Sequence, residues 1–492
     1  MTNGTQKLSV LEKAGYSLGD GAANLVYMTI ILFQLNFYTD TMGVAAGVAG
    51  TILLVGRFWD AFFDPMIGVM ADRTNTRWGK FRPWVLWTAV PFGIVMVLAY
   101  SVPGFSYGPT LVYAVATNIL LMSLYSANNT PYSAMTAVMT GDVNERTSLS
   151  SYRFVTVVIA QLIVGGFTLP LVAKFGQGNA ARGWRMTIGL WALICIACFL
   201  ITFLSTRERI KPVAHQKVSI RQSFGTLAKI GPWIAMFIVA LFHFTANSMR
   251  DGTVIYFFQY YVDKNRLFDF LRSVGLPNAA DGGSGLGFSL LNTFGLVINA
   301  TRSNVSSVGF SLWNMSGQVV LVIGVCFSTW LSIKFGKKAV ALAGFALTTV
   351  FMAAFIFLPA DNIWATFVMV WLRSASYAPT IPLLWAMFAD VADYAEWKTG
   401  RSTTGVIYGT VLFALKLGLS LGGFLAGWLL SAYGYHPNVP QTVHTLLGIR
   451  LTVSIFPAIL YGMIVAVLCY YPIGKKLNLQ IQDELAERRR LA

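Results

Sequence analysis

TILLVGRFWDAFFDPMIGVM, running from Thr51 to Met70, is long enough to cross a bilayer as one helix, yet it carries two aspartates in its middle. Asp60 and Asp64 are four residues apart, so a helix puts them on one face, about 6 Å apart along its axis. A carboxylate inside a membrane is costly and marks an ion or substrate path. Two on one face, with Arg57 a turn before them, read as a cation site. A plain salt bridge to Arg57 would satisfy only one of the two.

The rest of the chain has the same character. Of 492 residues, 55% are hydrophobic and 11% charged, against about 25% charged in soluble domains. Met186–Leu204, Val340–Pro359 and Leu451–Gly474 are uncharged apolar runs, and Pro83–Gly141 has no charge over a length that suits two spans. The pattern predicts an all-α polytopic membrane protein with about twelve transmembrane helices. The expected spans are 21–39, 47–70, 82–102, 110–138, 152–173, 186–204, 230–258, 308–333, 339–359, 363–389, 404–431 and 449–472. The N-terminus has no compact apolar region with a cleavage site, so no signal peptide is expected.

The net charge of +16 is not spread as in a nucleic-acid binder. Lys and Arg gather in alternate short loops: Arg73, Arg77, Lys80 and Arg82; Arg207, Arg209, Lys211, Lys217 and Arg221; Lys334, Lys337 and Lys338; and Lys475, Lys476 and Arg488–Arg490. This bias places those loops and both termini in the cytoplasm, a bacterial inner membrane being the expected setting. Cys195 and Cys198 form a C-x-x-C inside a span without a second pair, which suits packing rather than metal or redox chemistry. No hydrolase or nucleotide-binding motif is present.

The basic segment 205–229 divides the spans six and six. The expected organisation is an N-terminal bundle (1–204), a cytoplasmic linker (205–229), a C-terminal bundle (230–472) with an outer insertion (261–307), and a cytoplasmic tail (473–492). A weak repeat supports the division: Gly68–Trp84 after the second span and Leu331–Gly344 after the eighth both hold a short basic turn with Gly-Lys. Two such halves are a common transporter architecture, with substrate held midway. The insertion, with NRLFDFLRSVG and then DGGSGLG, reads either as an outer cap or as a passive addition.

Several motifs, in order, resemble the glycoside–pentoside–hexuronide:cation symporters, the melibiose-permease-like branch of the major facilitator superfamily. They are GYSLGDGAANLVY (Gly15–Tyr27) with FYTD (Phe37–Asp40), RFWDAFFDP (Arg57–Pro65), ADRTNTRWGKFRPW (Ala71–Trp84), NNTPYSAM (Asn128–Met135), ERTSLSSYRF (Glu145–Phe154), ADVADYAEWKTG (Ala389–Gly400) and LFALKLGLSLGG (Leu412–Gly423). The resemblance implies a major-facilitator fold of two six-helix bundles and cation-coupled symport, with Asp60, Asp64, Ser126 and Lys416 at the cation. If the cation is Na⁺, Asp60 and Asp64 are its carboxylate ligands; paired carboxylates can instead exchange H⁺. Lys416, in a span with no other charge, needs a carboxylate partner or snorkels to an interface.

The sugar site departs from the melibiose type. Asn24 and Asn129 stand where that permease has aspartates, which weakens a galactoside reading and eases an anionic sugar such as a uronide. Arg153 falls at a family arginine near the sugar. Trp385 either stacks on a pyranose ring, or packs or anchors at the membrane interface. Arg250 either pairs with Asp251 or faces the cavity. Asp20 is expected to order the entry of the first helix, and residues 390–402 to gate the inner side. The implied partners are a small sugar and the coupling cation, with membrane lipid around a monomer, no nucleic acid and no cofactor. A lysolipid or other amphiphile is the alternative cargo. An aspartyl-dyad enzyme would need its carboxylates on facing helices, and a channel would not accumulate substrate.

Overall fold

The structure, a computed structural model, describes residues 7–140, 142–210, 230–400 and 404–491. The linker from Lys211 to Lys229, including Lys217 and Arg221, lies outside the described residues, as do Arg401 of the expected inner gate and the side chains of Arg489 and Arg490. Among the described residues the fold is helical, and the only pairings of β type are two isolated bridges.

The first six long helices are α1 (Val10–Asn36), α2 (Ala46–Arg73), α3 (Arg82–Ala99), α4 (Tyr107–Met139), α5 (Val143–Gly176) and α6 (Ala180–Ser205). Then come α7 (Gly231–Asp251), α8 (Lys264–Ser273), α9 (Leu286–Thr293), α10 (Val305–Cys326), α11 (Ser328–Phe335), α12 (Lys337–Ala354), α13 (Ile363–Tyr377), α14 (Thr380–Thr399), α15 (Thr404–Ala432), α16 (Val443–Val453), α17 (Ile455–Tyr470) and α18 (Lys475–Leu491). Among the described residues, eleven helical stretches are long and apolar enough to cross a membrane. The expected tenth span, 363–389, is instead two helices, α13 and α14, meeting at Ala378-Pro379. Pro379 has no backbone N–H to continue the hydrogen-bond ladder, which accounts for the break although Ala378 and Pro379 both keep right-handed helical dihedrals.

The chain forms two compact units. One comprises Met1–His215, Leu271–Leu312 and Tyr435–Pro440; the other comprises Gln216–Phe270, Trp313–Gly434 and Gln441–Ala492. In the first, α1 packs along α5 and α6, α2 along α4, and α3 along α4 and α6. In the second, α7 packs along α15 and α17, and α12 along α13 and α17. Much of the insertion therefore belongs with the first unit: Lys174 caps the end of α9 by donating to Asn292 O at 2.5 Å, and Phe294 stacks on Phe167 with ring centres 4.6 Å apart.

The first helix begins at Val10, not near residue 21, because its charges are neutralised. Ser9 caps it by accepting from Glu12 N–H. Lys13 pairs with Glu145 at 2.9 Å. Arg209 donates to both oxygens of Glu12, at 2.6 and 2.9 Å, and that carboxylate pushes the guanidinium pKa up. The Gly-Lys turns of both halves share a geometry: Gly79 (φ 114°) and Gly336 (φ 86°) each adopt positive φ just before α3 and α12.

Candidate functional site

Asp60 and Asp64 lie on α2, and α4 answers them with hydroxyls at the same spacing. Ser126 donates to Asp60 Oδ1, and Thr130 donates to Asp64 Oδ1 at 3.3 Å. Each pair spans 66 positions in sequence, so one turn along α2 matches one turn along α4 and the two helices run in the same direction. Asp60 and Ser126 are both fully buried. Gly56, a turn before Asp60, lets the helices approach closely, since a Cβ there would meet Asn118 Oδ1 at 1.8 Å. The result is a row of hard oxygens in an apolar wall, the donor set that small cations accept.

Arg57 meets an aromatic ring. It is buried, and its guanidinium lies over the Tyr27 ring, 4.7 Å from the centroid. Tyr27 in turn stacks on Tyr125, with centroids 5.5 Å apart. The guanidinium is thus held by a ring face one turn before the first carboxylate.

A second cluster joins α1 and α5. Arg153 Nε donates to Asp20 Oδ2 at 2.7 Å, and Asn24 Nδ2 donates to Asp20 O at 2.9 Å and Oδ1 at 3.4 Å. Asp20 therefore sits inside the cluster, not only at the entry of a helix. The guanidinium of Arg153 also lies over Tyr132, 5.4 Å away, and Tyr132 stacks on Tyr16 at 4.6 Å. Asn129 Nδ2 donates to the Tyr125 hydroxyl at 3.4 Å, which links it to the Tyr27–Tyr125 stack beside Arg57.

Arg250, Trp385 and Lys416 belong to the second unit. Arg250 pairs with Asp251 at 2.9 Å and lies 5.0 Å from the Trp313 ring centre. Trp385 is 37% exposed, with its nearest ring partner Phe388 at 5.9 Å. Lys416 lies mid-way along α15, where its carbonyl accepts from Ser420 at 2.7 Å. The glycines after it are contact points: a Cβ at Gly418 or Gly422 would meet the α7 backbone at 2.7 or 2.5 Å.

The sequence reading missed Thr130, whose four-residue spacing from Ser126 repeats that of the aspartates. It also missed a polar cluster around Asn247, which accepts from Arg373 at 2.8 Å and from the Tyr461 hydroxyl at 3.1 Å, and donates to the Tyr377 hydroxyl at 3.1 Å. Arg373, a charge inside the expected tenth span, is tied to α7 by three-dimensional proximity that no local pattern shows.

Comparison with known proteins gives the family. The chain matches the family described as MFS/sugar transport protein over residues 15–280 and 299–475. It is 31% identical to the inner membrane symporter YicJ of Escherichia coli (strain K12), covering 99% of this chain and 97% of that one. It is 31% identical to the putative glycoside/cation symporter YagG of the same strain, covering 98% and 96%. Its fold is similar to the crystal structure of a bacterial homolog of the human lysosomal transporter Spinster in an inward-facing, occupied conformation, with a TM-score of 0.63, 13% identity, and 94% and 95% of the two chains covered. The chain belongs to the MFS/sugar transport protein family, and is a polytopic membrane transporter of the glycoside–pentoside–hexuronide:cation symporter type rather than an enzyme.

Proposed function

We propose that this transporter takes up a glycoside, pentoside or hexuronide together with Na⁺ or H⁺, and that the α2–α4 ladder is where the cation acts. The observation that carries the reading is the fully buried Asp60 with Ser126 donating to it, followed one turn on by Asp64 and Thr130. An ionised carboxylate pair in an apolar wall is expensive to enclose, and a bound cation or proton removes that expense. The carrier then exposes its site alternately to the two membrane faces when empty or doubly loaded. Sugar and cation raise each other's affinity by the same factor, because the coupling free energy is reciprocal.

Asn24, Asn129 and Arg153 are proposed as sugar contacts. Amide groups donate and accept, which suits sugar hydroxyls. Arg153 keeps donors beyond the Nε that Asp20 engages. Lys416 is proposed to act with the carboxylates on the cation, and Trp385 as a stacking platform. The proposed setting is a bacterial inner membrane with both termini cytoplasmic, an orientation that the basic loops support.

Uptake of labelled glycosides, pentosides and uronides into proteoliposomes tests the proposal, under an imposed Na⁺ gradient, an imposed H⁺ gradient, or neither. Accumulation above the external concentration under one gradient identifies cargo class and ion together. Equilibration without accumulation under both gradients would refute coupling.

A further inference from the structure

We propose that a small cavity between Arg250 and Arg373, inside the second unit, binds one monoanionic group. The cavity opens between the end of α7 and α13, and Phe351, Met352, Phe355, Met369, Val370 and Val453 form the rest of its wall. Its volume of about 10 Å³ admits a single water-sized species.

Charge makes the case. Arg250 and Arg373 are 7% and 8% exposed. A guanidinium does not lose its proton in proteins. Arg250 has Asp251 as its ion-pair partner at 2.9 Å. Arg373 donates to the neutral Asn247 Oδ1 at 2.8 Å and lies over the Tyr377 ring at 4.8 Å. Its Nε is buried and meets no acceptor among the described residues. His243, beside it, bonds the Tyr377 hydroxyl at 3.0 Å and contributes no negative charge. Among the described residues, the one ion pair made by these two buried cations is that of Arg250 with Asp251, in a setting where an uncompensated charge costs several kcal/mol. One monoanion in the cavity balances the cluster and gives the orphaned Nε an acceptor. The size fits a halide or a single anionic oxygen, so the group comes either from dissolved salt or from an acidic cargo.

The test uses the full chain in lipid nanodiscs, melted in sodium chloride, sodium bromide or sodium gluconate at equal ionic strength. The expected result is a melting temperature a few degrees higher in either halide than in gluconate, saturating with concentration. Arg373→Gln should abolish the difference. Equal melting of the wild type in all three salts overturns the proposal, as does a full halide response in Arg373→Gln. If that variant fails to fold, Arg373→Lys keeps the charge but loses the fork of donors, and its halide midpoint should rise at least about tenfold; an unchanged midpoint overturns the assignment. Glucuronate that replaces bromide and competes with it assigns the group to a cargo, whereas glucuronate without effect assigns it to inorganic halide. Bromide anomalous scattering in crystals of the wild type should place a peak beside both guanidinium groups, and its absence at a saturating concentration counts against the site.

Discussion

Ser126 donates its hydroxyl hydrogen bond to Asp60, a carboxylate with no exposed surface. The bond joins α4 to α2 at the depth where the coupling cation is proposed to act. Removing the hydroxyl leaves the carboxylate with one donor fewer and the cation with one oxygen fewer. Ser126→Ala should therefore weaken the cation dependence of uptake by about 10-fold or more, as expected for a hydrogen bond to a charged group. The readout is the half-saturating Na⁺ or H⁺ concentration in proteoliposomes; an unchanged value removes Ser126 from the cation site.

Asp60→Asn should go further. It keeps the shape and removes the charge, so gradient-driven accumulation is lost while exchange of labelled for unlabelled sugar persists. Asp64→Asn should show the same split, and accumulation at the wild-type level in either variant rejects the assignment.

Asp20 and Arg153 form a pair of limited exposure, at 13% and 27% of their side chains. Either Asp20→Asn or Arg153→Gln should lower the melting temperature, and the double variant should lose less than the sum, by roughly 1 kcal/mol of coupling after screening. Because Asn24 is oriented by Asp20, Asp20→Asn should also reduce sugar affinity. Additive thermal effects would show that the two side chains act separately.

Gly422→Ala should destabilise the second unit by about 1–3 kcal/mol, since its new methyl meets α7 backbone atoms with no room to move. Gly409→Ala, on the same helix with nothing within 4 Å of the added carbon, should be neutral or stabilising by up to about 1 kcal/mol. Thermal melting of the two variants side by side checks the contrast.

Low pH should loosen the C-terminal helix α18. Trp397 and Gln480 donate to Glu484 and hold its carboxyl below the ordinary glutamate value. A depressed carboxylate contributes stability that is fully present above the unfolded value of about 4.3 and lost as pH falls through its folded value. Fluorescence of Trp397 and proteolysis of the tail should therefore stay constant from neutral pH to about 5 and change below about 4. Glu484→Gln should abolish the transition.

The readable parts of this sequence were those set within one helix. The four-residue step from Asp60 to Asp64 needs nothing but helical geometry, and the basic turns at Gly79 and Gly336 announce themselves by composition. What could not be read was register between helices. The match of Ser126 and Thr130 to the two aspartates depends on how α2 and α4 slide along each other, which packing at Gly56 fixes. The start of α1 was placed about ten residues late for the same reason: Lys13 and Asp20 look too polar for a span until Glu145 and Arg153 are brought beside them. Glu208, unremarked in the sequence, accepts from the backbone N–H groups of Lys80, Phe81 and Arg82 at 2.7 to 2.9 Å and caps α3 across more than 120 residues of chain. No local pattern announces a cap supplied from so far away.

The membership of Leu271–Leu312 and Tyr435–Pro440 in the first unit bears on the order of synthesis. The six leading helices leave the ribosome long before the pieces that complete their unit. The α5 surface at Phe167 and Lys174 waits for a partner more than 100 residues downstream, and Asp40 waits for Tyr435 and Asn438. The amino-terminal half therefore cannot finish folding as an independent early product. Its last contacts form only when most of the carboxy-terminal half has also been made, which ties the maturation of the two halves together in time.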